Sequence, residues 1–354
     1  MKSEGRAQEE RANPDTMYSE IHQICHIQEN YPKGWISREE CPCCGGQRLV
    51  AAFEKLGMRH DRCIECDYVC VNPYPPEHVL EKLYAGNTYN RIREFYELPR
   101  VRESGAGSAF SAPLELLEEL IVRGTRGQEE GAWLDVGGGL GVFANLVAQR
   151  APRWSVSLNE MNPRSIELAR ELFGLDILPD DVATLAAAER KFDVISAIGV
   201  LEHVADPLGF IKSYSSLLKP SGILIILVPH FTTLNVHVSK ASNSNVIPPY
   251  HLSLFGEANL RRLVEHAGFF CKLETLQAGE PSFSLLDHVE YWQHWDALLP
   301  DADNPDFRSI KIAEYPAEVA TVLNKLTTVV DDTKDFFSRH DGQVHLALVA
   351  VRAE

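Results

Sequence analysis

The sequence is poor in several things that a chain of 354 residues could carry. It has no long apolar run: the longest wholly apolar stretches, such as Ile223 to Val228, fall far short of the ~20 residues that a membrane helix needs. The segment from Met1 to Asp15 is dominated by Arg, Glu and Gln and lacks an apolar h-region, so it reads as a loose tail and not as a secretory signal. Positive charge is also short. Lys and Arg total 34 against 50 Asp and Glu, a net charge of −16, which works against sequence-blind binding to a polyanion. A bilayer span and a general nucleic-acid role are therefore not expected, and the expected location is cytoplasmic. What remains is enough to build a core. Hydrophobic residues make up 45% and charged residues 24%, proportions that belong to globular proteins and exclude disordered and fibrous classes.

Cysteine is sparse but unevenly placed. Six of the eight lie between Cys41 and Cys70, while Cys25 and Cys271 stand alone. In a reducing compartment, clustered thiols bind metal more often than they pair as disulfides. Cys41 with Cys44, then eighteen intervening residues, then Cys63 with Cys66, gives the spacing of a four-thiolate zinc site. Gly45 and Gly46 supply the backbone freedom that a tight knuckle requires. The segments Arg48 to Phe53 and Met58 to Arg62 read as two short strands, which predicts a zinc ribbon over residues 37–76 behind a flexible segment 1–36. Cys43 and Cys70 are alternatives for a ligand position. A closed four-cysteine site leaves no coordination position for substrate, so its zinc is expected to be structural. Val71-Asn-Pro73-Tyr-Pro75-Pro76 then reads as a rigid extended exit. Residues 77–130 form a helical linker or lid, with a short helix from Glu77 to Tyr84, a Gly/Ser/Ala-rich stretch from Arg100 to Ser111, and helical periodicity restored at Leu114 to Ile121.

From residue 131 onward, strands alternate with helices, the pattern of a doubly wound α/β sheet. Ala132-Trp-Leu-Asp135-Val-Gly137-Gly138-Gly139-Leu-Gly141 is an apolar strand running into a glycine-rich turn, with a helix from Val142 to Arg150. Such a turn lets backbone approach a ligand at the carboxyl end of a strand, where the helix supplies free N–H groups. It can be read as D-x-G-x-G-x-G from Asp135, or as G-x-G-x-x-A from Gly139 to Ala144, a nicotinamide-type fingerprint. Glu160 ends the second strand and can accept both ribose hydroxyls in either class. Further strands are expected at Asp176 to Leu178, exiting at Asp180 and Asp181, at Phe192 to Ile198, and at Ile223 to Val228. Ligand chemistry should sit above their ends, at Asp135 to Gly141, Glu160, Asp180, Asp181, Gly199 to His203 and Pro229 to His230.

Asp135-Val-Gly-Gly-Gly-Leu-Gly141, Glu160, Phe192-Asp-Val-Ile195, Val200-Leu-Glu-His-Val204 with Asp206-Pro207, Leu218-Lys-Pro-Ser-Gly222 and His251-Leu-Ser-Leu-Phe255 followed by Ala267-Gly-Phe269 resemble the class I S-adenosylmethionine-dependent methyltransferases. The cysteine ribbon running into Val71-Asn-Pro73 resembles the zinc-binding leader of a subset that modifies sugars and other small metabolites. One departure is Ser221, where that family commonly has a second glycine before Gly222. The resemblance implies a seven-stranded sheet with an antiparallel last strand, Gly268 to Leu276 as the sixth strand and Gln343 to Arg352 as the seventh. Between them, residues 278–342 are a helical insertion, with helices at Leu285 to Leu299 and Glu318 to Arg339, that covers the pocket or builds a homodimer contact. It also implies that Gly137, Gly139 and Gly141 pass the methionine part of S-adenosylmethionine, that Glu160 holds the ribose, that Asp180 or Asp181 meets the adenine amine, and that Glu202-His203 shapes the cofactor pocket.

Methyl transfer from a sulfonium is an in-line displacement, so the enzyme must align nucleophile and methyl and, for a hydroxyl, remove a proton. Histidine titrates near working pH. His230 and His251 are the catalytic candidates, with His203 behind them. The expected function is methyl transfer to a small-molecule acceptor such as a nucleotide-linked sugar or polysaccharide precursor. A nicotinamide-dependent oxidoreductase and a non-catalytic ribbon adaptor are the competing readings.

Overall fold

A computed structural model describes residues 34–55, 57–85, 89–90, 93–104, 112, 114–178, 182–231, 246, 248–270, 276–279 and 343–352. The expected tail, Asp180 with Asp181, and the insertion from residue 280 onward, with its helices and dimer contact, lie outside the described residues. Among those described, no helix is long and apolar enough to cross a membrane.

The amino-terminal unit is a small antiparallel sheet. β1 (Leu49–Lys55) pairs with β2 (Met58–Cys63), and β2 with β3 (Val69–Val71). Two similar knuckles carry the cysteines. In the first, Gly45 N–H donates to Cys41 O at 2.8 Å, and in the second, Asp67 N–H donates to Cys63 O at 2.9 Å. Gly45 and Asp67 each follow the second cysteine of a pair, and each is left-handed, at φ 71° and 57°. That conformation costs a glycine little, and aspartate is among the few other residues that enter it readily.

Helix α1 (Glu77–Ala85), a π-helical turn over Arg93–Glu97, α2 (Leu98–Ser104) and α3 (Leu114–Thr125) lead into the main sheet. There β4 (Gly131–Val136), α4 (Val142–Arg150), β5 (Trp154–Asn159), α5 (Pro163–Phe173), β6 (Asp176–Leu178), α6 (Val182–Ala187), β7 (Phe192–Ile198), α7 (Pro207–Ser215) and β8 (Leu218–Pro229) alternate as the sequence predicts. Five parallel strands result, in the order β8-β7-β4-β5-β6. Their apolar side chains are buried on both faces, under Leu117, Leu120, Phe143 and Leu146 on one side and Ile211, Leu260 and Leu263 on the other, as a sheet sandwiched by helices requires.

After β8 come β9 (Ser253–Leu254), α8 (Glu257–His266), β10 (Phe269–Phe270), β11 (Leu276–Gly279) and β12 (Gln343–Arg352). β12 is antiparallel to β8, with Ala347 opposite Leu227, as expected of the last strand. Among the described residues the sheet has eight segments. Of the sixth strand, expected from Gly268 to Leu276, Phe269 and Phe270 fall in β10 and Leu276 in β11, and residues 271–275 lie outside the described residues. β10 pairs with the carboxyl end of β12, at Val351 and Arg352, and β11 with its first half, from Gln343 to Ala347.

A second finding was not expected from the sequence. β9, which belongs to the main domain, pairs antiparallel with β3 of the ribbon, Leu254 opposite Val69 and Ser253 opposite Cys70. Tyr68 Oη and Ser253 Oγ share a fully buried hydrogen bond at 2.5 Å, and Arg38 Nη2 donates to Ala205 O at 2.6 Å. The ribbon is sewn into the domain through backbone as well as side chains.

Candidate functional site

The glycine turn after β4 has Gly137, Gly139 and Gly141 at φ 61°, 56° and 76°. Gly139 is the most constrained: besides its left-handed backbone, a Cβ there would run into the Arg93 guanidinium. The turn leads into the amino terminus of α4, and its glycines leave backbone without side chains beneath the Arg93 guanidinium. Glu160, just past β5, faces this turn. One carboxylate oxygen accepts from Gly139 N–H at 2.9 Å, and the other accepts from the N–H groups of Met161 and Asn162, both at 2.8 Å. Three amide N–H groups thus hold the carboxylate against the turn. The two parts of the expected cofactor motif thus meet across the ends of β4 and β5.

Asp135 lies beneath the turn and is fully buried. Its Oδ1 accepts from Ser196 Oγ at 2.7 Å, and Ser196 Oγ accepts from Trp133 Nε1 at 2.9 Å. Burial pushes its carboxyl up to about 7. It supports the turn from below.

Arg93, Tyr84 and Tyr89 come from the segment read only as a linker or lid. Arg93 bonds to Tyr89 Oη and to Glu97 Oε2, the latter at 2.8 Å, and its guanidinium lies against Gly139. It is a largely covered cation beside the glycine turn. The signal was the alternation of charge and aromatics in Tyr89-Asn-Arg-Ile-Arg93-Glu-Phe-Tyr-Glu97, which composition alone does not tie to the groove.

A second group forms where the one-turn 3-10 helix Leu201–His203 follows β7. Glu202 is 4% exposed, and burial pushes its carboxyl up to about 8. His203 Nδ1 lies 2.8 Å from Tyr250 O. A carbonyl only accepts, so Nδ1 carries the proton and Nε2 presents a lone pair. That Nε2 is 4.0 Å from Glu202 Oε1. Burial, with His251 next, holds the His203 imidazole down to about 3. The His251 ring packs edge-on to His203 at 4.9 Å, and Tyr84 approaches His203 at 5.8 Å. The structure therefore brings Glu202, His203 and His251 together. His230 sits apart in sequence at the end of β8, nearly buried and bridged to Phe255 of the segment that also carries β9.

Among the cysteines, the structure gathers Cys41, Cys44, Cys63 and Cys66. The Cys41–Cys66 and Cys44–Cys63 sulfur pairs are both 3.7 Å apart. Sulfurs about 2.3 Å from a tetrahedral zinc lie ~3.8 Å from one another, so the four side chains fit that ion. Cys43 and Cys70, left open by the spacing, lie outside the group. The Cys43 thiol donates to Asn259 O at 3.2 Å, tying the knuckle to α8, and burial pushes the Cys70 thiol up to about 12.

Comparison with known proteins matches residues 109–272 to the family described as "Methyltransferase domain". The chain is 36% identical over 121 residues to a ubiquinone biosynthesis O-methyltransferase of Parvibaculum lavamentivorans, covering 33% of this chain and 47% of that one. It is 38% identical over 112 residues to the protein of the same name from Actinobacillus pleuropneumoniae, covering 29% and 45%. The chain therefore spans about half the length of the curated relatives it matches. Among solved structures, it is similar to a SAM dependent methyltransferase from Archaeoglobus fulgidus, with a TM-score of 0.44 at 18% identity over 73% of this chain and 100% of that one.

Proposed function

We propose that this chain, which carries a methyltransferase domain over residues 109–272, transfers a methyl group from S-adenosylmethionine to a hydroxyl of a small molecule. The observation that carries this reading is the contact between Gly139 N–H and Glu160 Oε2, which brings the glycine turn and the Glu160 carboxylate together at the ends of β4 and β5. Bound S-adenosylmethionine supplies a methyl on a positively charged sulfur. Gly137, Gly139 and Gly141 admit its methionine part, Arg93 faces the carboxylate end, and Glu160 takes the ribose hydroxyls. Asp135 keeps the turn in place, and Asp180 or Asp181 is assigned to the adenine amine.

The acceptor end is assigned to Glu202, His203 and His251, with His230 as a further candidate to take the acceptor's proton. Oxygen as the methylated atom follows the printed names of the relatives. A nucleotide-linked sugar or polysaccharide precursor, suggested by the cysteine leader, is the acceptor class to test beside phenolic hydroxyls. The four cysteines hold a structural zinc, and a reducing, cytoplasmic setting keeps those thiolates available.

The antiparallel β12 between β8 and the edge strands argues against a nicotinamide enzyme, whose dinucleotide fold continues with parallel strands. The test is calorimetric binding of S-adenosylmethionine to the wild type and to Glu160→Ala. Binding that is weakened at least tenfold in the variant is expected, and an unchanged isotherm would overturn the cofactor assignment. Methyl-labelled cofactor with the two acceptor classes then identifies the product by mass.

A further inference from the structure

Glu202, His203 and His251 bring three side chains able to ligate a metal to one place in the site. Glu202 is buried, and its Oε2 has no hydrogen-bond partner among the described residues. Its other oxygen faces His203 Nε2 at 4.0 Å, too far for a hydrogen bond. Because His203 Nδ1–H is committed to Tyr250 O, the atom facing the carboxylate is a lone pair. Glu202 Oε1 and His203 Nε2 thus border a common space. One candidate ligand atom from each of Glu202, His203 and His251 lies within 4.8 Å of the other two.

We propose that Glu202, His203 and His251 bind one divalent transition-metal ion, at a site separate from the four-cysteine centre. Two imidazoles and one carboxylate suit zinc, manganese, cobalt or iron, and three protein ligands leave positions open for an oxygen ligand. Ligands of a tetrahedral ion with bonds of about 2.1 Å stand ~3.4 Å apart, and with His203 held by Tyr250 O, rotation of the half-buried His251 side chain shortens that difference. The hydrogen bond from His203 Nδ1 to a backbone carbonyl is the outer-shell contact that fixes a metal-bound imidazole in orientation and tautomer. Tyr84, Tyr89 and Tyr250 line this side of the site, with Tyr84 edge-on to both Tyr89 and Tyr250.

The role of the ion, though not its binding, rests on the proposed methyltransferase reading. A hydroxyl coordinated there would become more acidic and so a better nucleophile at neutral pH.

The test uses the full chain already carrying its zinc. Co2+ is titrated in by calorimetry, and absorption spectra separate cobalt on nitrogen and oxygen from cobalt on thiolate by the thiolate charge-transfer band. The expected result is one Co2+ per chain without that band, and binding weakened at least ~10-fold in Glu202→Gln and in His251→Ala, with zinc content unchanged. Should Glu202→Gln fail to fold, His251→Ala, at a partly exposed position, carries the test. No Co2+ uptake beyond the thiolate site, or full retention in His251→Ala, would overturn the proposal. S-adenosylmethionine binding measured on the same samples reports separately on the cofactor reading.

Discussion

Asp135 offers a quantitative check on how the cofactor turn is supported. Its carboxyl is fully buried, has one hydroxyl donor in Ser196, and titrates near 7 in the folded protein against 3.8 for an ordinary aspartate, burial being the main cause. The folded pKa is raised, so the native state holds a proton that the unfolded chain has already released. The stabilisation from this group is therefore complete below about 4 and is lost as pH rises through about 7. Between pH 5 and pH 8 the folded group covers about two pKa units of that loss, at ~1.36 kcal/mol each, or ~2.7 kcal/mol. Asp135→Asn removes the titration while keeping an acceptor for Ser196. The assay is urea unfolding of zinc-replete wild type and variant at pH 5, 6, 7 and 8 at one ionic strength. The stability of the variant relative to wild type should improve by about 2–3 kcal/mol from pH 5 to pH 8. Glu202, raised in the same direction, is present in both proteins and cancels from the difference. A gap between the two proteins that stays constant to within ~0.5 kcal/mol would refute the account of Asp135 as a buried, neutral support.

Two further outcomes follow from particular residues. Gly139→Ala places a Cβ into the Arg93 guanidinium at a left-handed φ of 56°, and S-adenosylmethionine affinity, read by calorimetry, should fall at least tenfold while the far-ultraviolet circular dichroism stays that of the wild type. Ser221 is left-handed at φ 59°, a conformation that costs a non-glycine residue ~1–2 kcal/mol, so Ser221→Gly should raise the urea midpoint by an amount equivalent to about 1 kcal/mol, part of the gain being returned as unfolded-chain entropy.

Ser221 also shows how far the sequence could be read. Its departure from a glycine pattern is visible in Leu218-Lys-Pro-Ser-Gly222, and the structure puts the left-handed residue at that very position, while Gly222 is hemmed in by Lys219 O, which a Cβ would approach at 2.9 Å. The parallel strands were legible because each is a short apolar run flanked by glycine, proline or acid, and the glycine turn and Glu160 were legible because each ends such a run. Two things were not. The pairing of β9 with β3, which joins the ribbon to the main domain, is one that no local pattern encodes. The clustering of Glu202 with His251 joins residues 49 positions apart through backbone contacts, Leu252 N–H to Glu202 O at 2.8 Å and Val71 N–H to Leu252 O at 3.0 Å.

Those contacts give the ribbon a place in the site and not beside it. The loop that carries Tyr250 and His251 has one edge against Glu202 and the other against β3. β3 is in turn fixed by the second cysteine knuckle, where Cys63 N–H donates to Tyr68 O at 2.8 Å, and by the Tyr68–Ser253 hydrogen bond. Without the ribbon, Ser253 and Leu254 would lose their strand partner, and the carbonyl of Tyr250 that sets the His203 tautomer would be held from one side only. A buried hydrogen bond is worth ~1 kcal/mol net, but losing one partner leaves the other desolvated at a cost of ~1–3 kcal/mol. The two ladder positions and the tyrosine hydroxyl together thus make the histidine loop depend on the folded ribbon. The cysteine knuckles belong to a sheet whose last strand is contributed by the main domain, and that sheet bears on the loop that carries Tyr250 and His251.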